Sequence, residues 1–70
     1  MSLEEILSYN GKRVRVIFTD GHIVIGKVDG ILEDFDEECT RDGFFLDADD
    51  GNLYGYLPEK VEKIELIEKR

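Results

Sequence analysis

The single histidine and the single cysteine are the most reactive side chains in this 70-residue chain, and they are too few for catalysis. A nucleophile–base pair made of His22 and Cys39 needs a third group to orient it and an oxyanion hole to stabilise the developing charge. Two ligands do not make a zinc site either. The sequence therefore predicts no catalytic residue, no metal site and no cofactor, and we expect a protein that is not an enzyme.

Acidic residues are concentrated in one part of the chain. Residues 29–50 hold ten acids against the single base Arg41, a net charge of −9, whereas the remaining residues hold seven acids against eight bases, a net charge of +1. A wholly acidic surface repels nucleic acid and anionic membranes, but the uneven distribution leaves RNA open as a partner.

The acids of this region do not form a known site. The run from Asp47 to Asn52 lacks the glycine at the sixth position and the glutamate at the twelfth that an EF-hand needs, so we interpret it as an acidic turn. Paired carboxylates for acid–base work need a cleft, which a solvated loop does not offer. We predict instead a loop over residues 32–42 that faces a basic protein partner, with these acids: Glu33, Asp34, Asp36, Glu37 and Glu38.

Two groups of residues are candidates for RNA binding. Arg13 and Arg15 alternate with apolar residues and should face outward, where they can contact phosphates or pair with acids of a neighbouring subunit. Tyr54, beside Gly55, and Tyr56 should share one face of their strand and can stack on bases, although aromatic residues on strands more often belong to a core or an interface. Both alternatives stay open for each group.

The pattern of residues predicts one short helix followed by five strands. Ser2 and Glu5 form a capping box, and apolar residues at helical spacing follow, so we expect a helix over residues 3–9. Alternation and turn signals predict strands over residues 12–18, 22–31, 43–48, 53–57 and 61–67, and Asp20-Gly21 predicts a two-residue hairpin turn between the first two. Gly26 and Gly30 within the second strand indicate a bend or bulge. Short connections and a bent strand favour a closed antiparallel barrel, one domain spanning residues 1–70.

A domain of this length buries only about 60% of the surface of its unfolded chain, and without disulfides or metals it gains most from association. We therefore expect self-association. The sequence holds no long apolar run and no signal peptide, and its one cysteine fits a reducing compartment, so a cytoplasmic location without membrane partners is expected.

Two stretches resemble the motifs of the Sm/LSm/Hfq superfamily. Residues 11–26 (GKRVRVIFTDGHIVIG) are similar to the first half of the first Sm motif, and LYGYL followed by VEKIELI, at 53–57 and 61–67, is similar to the second. The resemblance implies an N-terminal helix on a strongly bent five-stranded, SH3-like barrel, and a homo-oligomeric ring formed by pairing of strands between neighbours. The residues that the family uses for RNA are different here.

The family's RNA pocket has an Asp and an Asn late in the first motif, whereas here Asp34 and Asp36 lie beyond that place and no Asn follows. An Arg often precedes the glycine of the second motif, and here Tyr54 stands there. The Lys-His pair of bacterial Hfq is also absent. We therefore expect a non-enzymatic scaffold that binds a protein partner, and the alternative is an RNA-binding protein with a modified pocket around Tyr54.

Overall fold

The chain begins with a capped helix that is shorter than predicted. The computed structural model describes residues 1–33 and 41–67. Helix α1 spans Leu3–Leu7, and the predicted capping box is confirmed: the Ser2 hydroxyl accepts from the Glu5 amide at 3.2 Å, while the Ser2 amide donates to the Glu5 carboxylate at 3.2 Å. The helix ends two residues early because the amide of Tyr9 bonds three residues back, to Ile6, which tightens the last turn. No helix among the described residues is long and apolar enough to cross a membrane.

Five antiparallel strands follow, in a single sheet. They are β1 (Arg13–Phe18), β2 (Ile23–Leu32), β3 (Gly43–Ala48), β4 (Leu53–Tyr56) and β5 (Val61–Leu66), and a 3-10 turn over Pro58–Lys60 links the last two. The order across the sheet is β4-β3-β2-β1-β5. The prediction of a mainly β fold with one short helix is confirmed, and each strand lies within two residues of its predicted bounds.

The predicted closure of the barrel is wrong. Within the described residues, β4 and β5 form the two outer edges of the sheet and do not pair with each other. The reason is local: β4 has only four residues, and Pro58, which follows it closely, offers no amide hydrogen to a ladder. Side chains bring β4 close to β1 instead, since the rings of Phe18 on β1 and Tyr56 on β4 lie 4.5 Å apart.

The turn at Asp20-Gly21 has three residues and not two. The Gly21 amide donates to the Phe18 carbonyl at 2.9 Å, and the Phe18 amide donates to the His22 carbonyl at 2.8 Å. Gly21 has a φ of 91°, and a residue in this left-handed conformation completes this type of turn. The Asp20 carboxylate also accepts from the His22 amide at 2.9 Å, so the aspartate orders the turn.

The turn between β3 and β4 repeats this design. The Gly51 amide donates to the Ala48 carbonyl at 3.0 Å, the Ala48 amide donates to the Asn52 carbonyl at 2.9 Å, and Gly51 has a φ of 92°. Asp50 accepts from the Asn52 amide at 2.8 Å, as Asp20 does in the first turn. Two Asp-Gly pairs thus form two equivalent turns, each with an ordered carboxylate.

The two glycines of β2 have different functions. Gly30, with a φ of 89°, lies in the irregular register between Val28 and Ile31, so the predicted bulge is confirmed there. Gly26 lies where β3 comes closest, because a Cβ atom at this position would be 2.4 Å from the Asp47 carbonyl oxygen. Only a residue without a side chain allows the two backbones to approach so closely.

The core lies between the bent sheet and the helix. Ile6 of α1 is fully buried against β2 and β3, and alternate residues of the strands complete the core. No buried side chain among the described residues is polar or charged. The buried apolar residues are Ile6, Val14, Val16, Phe18, Val28, Phe44, Leu46, Ala48, Val61 and Ile64.

We predict that Gly26→Ala destabilises the fold more than Gly30→Ala does. The new methyl group at position 26 meets backbone atoms that cannot move without parting β2 from β3, a loss of about 3 kcal/mol. At position 30 the methyl group meets open space, and only the positive φ opposes it, at about 1 kcal/mol. Urea unfolding of both variants measures the difference, and equal stabilities would contradict the close approach.

Candidate binding groove

Four aromatic rings form a row across the sheet. The ring centroids of His22 and Phe18 lie 6.0 Å apart, those of Phe18 and Tyr56 4.5 Å, and those of Tyr56 and Tyr54 6.0 Å. Phe18 is buried, both tyrosines are half-buried and His22 is exposed. The buried Phe18 therefore lies between the exposed His22 and the two half-buried tyrosines. The predicted placement of Tyr54 and Tyr56 on one face of β4 is confirmed by their pairing with the buried Leu46 and Phe44.

An open groove of about 480 Å³ lies along this row, between the two hairpin turns. A second cavity of about 330 Å³, lined by residues of the first turn and by Lys60, shares His22 and Tyr56 with it. The larger volume is in the range of sites that hold small ligands or single side chains. The residues that line the groove are His22, Ile23, Val24, Ile25, Ala48, Asp49, Asp50, Tyr54 and Tyr56.

Hydrogen bonds to the second turn fix the position of Tyr54. Its hydroxyl donates to Asp50 Oδ2 at 2.7 Å and accepts from the side-chain amide of Asn52 at 3.3 Å. The hydrogen bond from Tyr54, followed by that from the Asn52 backbone, lowers the pKa of Asp50 below its ordinary value of 3.8. Asp50 therefore carries a negative charge at neutral pH, next to an aromatic ring.

Tyr56 stays neutral at physiological pH. Burial raises the pKa of its hydroxyl above the ordinary value of 10.0, and the nearby Tyr54 and Asp50 add to the shift. Its ring contacts Phe18, Phe44 and Tyr54, so it forms the floor of the groove.

The structure places both arginine candidates on the outer face of the sheet. Arg13 and Arg15 are exposed and alternate with buried valines, which confirms their outward direction. Arg13 pairs with Asp49, and Arg15 pairs with Glu65 at 3.1 Å. The pairing, mainly through the hydrogen bond, raises the pKa of Arg13 and lowers that of Asp49. Acids of the same chain therefore already contact both guanidinium groups.

The four RNA-binding candidates do not come together in one site. Tyr54 and Gly55 are on β4, and β2 and β3 separate them from the arginines on β1. Three steps between neighbouring strands amount to about 14 Å along the sheet. Tyr54 also lies on the inner face, opposite to the face of the arginines. Arg13 approaches the groove through Asp49, which lines it, whereas the ion-pair partner of Arg15, Glu65, does not line it.

Other candidates are placed only in part. Glu33 is exposed just after β2, while Asp34, Asp36, Glu37 and Glu38 lie outside the described residues, as does Cys39. His22 lines the groove. Within residues 1–33 and 41–67, no group of three His, Cys, Asp or Glu side chains is arranged to hold a metal ion.

Sequence reasoning missed that Asp50 and His22 share a groove with the tyrosines. The sequence holds one signal for the contact between Asp50 and Tyr54, because Asp50 stands in a tight turn only four residues before Tyr54, within reach of its hydroxyl. The contact between the turn residue His22 and the floor of the groove depends on the bend of β2, and no local pattern of residues reports it.

Comparisons with known proteins add no family assignment. No family model, curated protein or solved structure matches this chain.

We predict that Tyr54→Phe raises the pKa of Asp50 towards its ordinary value, because the largest cause of the lowered pKa is lost with the hydroxyl. A pKa lowered by folding stabilises the fold fully above about pH 3.8, and this contribution disappears as the pH falls through the lowered pKa. The carboxyl carbon shift of Asp50, followed by NMR against pH, gives the value.

Tyr56→Phe is the matched control, since its hydroxyl is not among the hydrogen-bond donors that lower the pKa of Asp50. The pKa of Asp50 should stay unchanged in this variant. The same titration midpoint in the wild type and in Tyr54→Phe would contradict the hydrogen bond between Tyr54 and Asp50.

Proposed function

We propose that this chain is a non-enzymatic, Sm-like binding module of the cytoplasm, which assembles with copies of itself into a ring and binds a basic protein partner. The observation that carries the proposal is the open sheet, with β4 at one edge and β5 at the other. A helix followed by five antiparallel strands with a bent β2 also supports the Sm-like architecture.

Both edges are suited to pairing between copies. An edge strand presents free backbone donors and acceptors, and proteins normally cover such strands or protect them with charge. Here Leu53 on β4 is 56% exposed and Leu66 on β5 is 52% exposed. If β4 of one copy pairs with β5 of the next, each copy has one such contact on either side. This head-to-tail arrangement closes into a ring when the rotation between copies allows it.

The surface charges favour a basic partner. The groove has Asp49 and Asp50 in its lining, and the chain as a whole has a net charge of −8. Protein surfaces of complementary charge associate faster and more selectively. The surface near the groove therefore favours a basic protein segment, in addition to the acidic loop predicted over residues 32–42.

RNA binding is the second candidate, and the half-exposed ring of Tyr54 is the observation in its favour. Stacking on aromatic rings binds single-stranded bases without a need for hydrogen bonds to them. Phosphates, however, need cations, and Arg13 and Arg15 are already paired with acids. Two acids line the groove as well, so a protein partner is the better-supported proposal.

We predict that the chain has a native mass of several subunits and that the double variant Leu53→Lys, Leu66→Lys has a lower one. A lysine on an edge strand opposes pairing because its charge would have to be buried or moved aside. Light scattering behind a sizing column, at low and physiological salt, measures the mass.

Ile31→Lys is the control. Ile31 is 47% exposed but lies on β2, which has neighbours on both sides. This variant should keep the wild-type mass. A monomeric wild type, or equal masses for the double variant and the wild type, would count against assembly through the edges.

A further inference from the structure

The groove between the two turns combines aromatic rings with carboxylates that it does not fully neutralise. Asp50 makes no ion pair within the described residues, and both of its oxygens accept hydrogen bonds from neutral groups, the Tyr54 hydroxyl and the Asn52 amide. Asp49 is paired with Arg13 on the outer face. No Lys or Arg is among the described residues that line this groove, although Arg13 contacts its Asp49 and Lys60 lines the adjoining cavity.

The rings next to these carboxylates can bind a cation. Tyr54 and Tyr56 lie 6.0 Å apart and are inclined by 34°, so their faces form one shallow aromatic wall. The face of an aromatic ring carries partial negative charge and attracts a cation within about 6 Å of its centre. A carboxylate hydrogen-bonded to one of these rings adds a full negative charge at the same place.

We propose that this groove binds the guanidinium group of an arginine side chain, presented by a basic segment of a protein partner. The inference deepens the proposed binding function, and it does not depend on assembly into a ring. The ring of Tyr54 or Tyr56 stacks on the planar cation, and the carboxylate of Asp50 accepts hydrogen bonds from its N–H groups.

Arginine fits this groove better than lysine does. The groove is open and has flat aromatic walls, which a planar, delocalised cation can cover while its edge still reaches a carboxylate. The lysine ammonium is more strongly hydrated and loses more of its hydration on the same surface. A nucleic acid fits less well than either, because its phosphates would approach Asp49 and Asp50.

The test is an NMR titration of the full chain with a blocked Gly-Arg-Gly peptide. Amide shifts at His22, Asp50, Tyr54 and Tyr56 are expected to change together. The matching peptide with citrulline, which keeps the shape of arginine without its charge, should cause no change at these residues. The lysine peptide should bind more weakly than the arginine peptide, by about threefold or more.

Two variants with the same change of charge locate the site. Asp50→Asn removes the negative charge at Tyr54 and should weaken binding of the arginine peptide by about fivefold. Asp29→Asn removes an exposed charge on β2 outside the groove and should leave the affinity unchanged. The amide spectrum of Asp50→Asn shows whether this variant folds. If it does not fold, Tyr54→Leu is used in its place. This variant removes the aromatic ring and is expected to weaken binding to the same extent.

Several results would overturn the inference. These are equal binding of the citrulline peptide, equal affinity of the Asp50 and Asp29 variants, or tighter binding of the lysine peptide. Tighter binding of a short oligouridylate at the same four residues would also overturn it and would assign the groove to RNA. Light scattering on the same samples reports assembly separately, so failure of the ring and failure of the groove are distinguishable.

Discussion

The close approach of β2 and β3 at Gly26 is the constraint on which the other features of the structure depend. A side chain there would collide with the backbone of Asp47, so a glycine is what lets the sheet bend back on itself. The bulge at Gly30 continues the bend, and β4 then meets β1 through the rings of Tyr56 and Phe18, without a hydrogen-bonded ladder between these strands among the described residues. Within the described residues this leaves β4 and β5 as unpaired edges, and it also leaves a groove next to the rings that meet.

The two equivalent turns determine the chemistry of this groove. Each turn orders a carboxylate by a hydrogen bond to its own backbone, Asp20 to the amide of His22 and Asp50 to the amide of Asn52. The second turn also binds Tyr54 of the following strand, which couples a charged group to an aromatic one. Elements that the fold needs as connections therefore provide a charged and an aromatic surface.

Most of the elements were predictable because their signals are local. The capping box, the alternation of β1 and the two Asp-Gly pairs depend on neighbouring residues, and each appears in the structure close to its predicted place. The closed barrel was not predictable in the same way, because closure depends on whether two strands distant in the sequence can pair. A four-residue β4 with a proline close behind it prevents this among the described residues. The exposure of Arg13 and Arg15 was also predictable, but their pairing with Asp49 and Glu65 was not.

The sequence by itself determined the class of the fold, the order of its elements, the outward face of the arginines and the shared face of Tyr54 and Tyr56. These properties follow from periods of two to four residues and from turn chemistry, which act within one element. Only the tertiary structure decided that the arginines and the tyrosines occupy different faces, that His22 shares a groove with Asp50, and that β4 and β5 do not pair within the described part of the chain. These facts depend on where strands cross and bend in space, and contacts between residues far apart in the chain leave no periodic signal in the sequence.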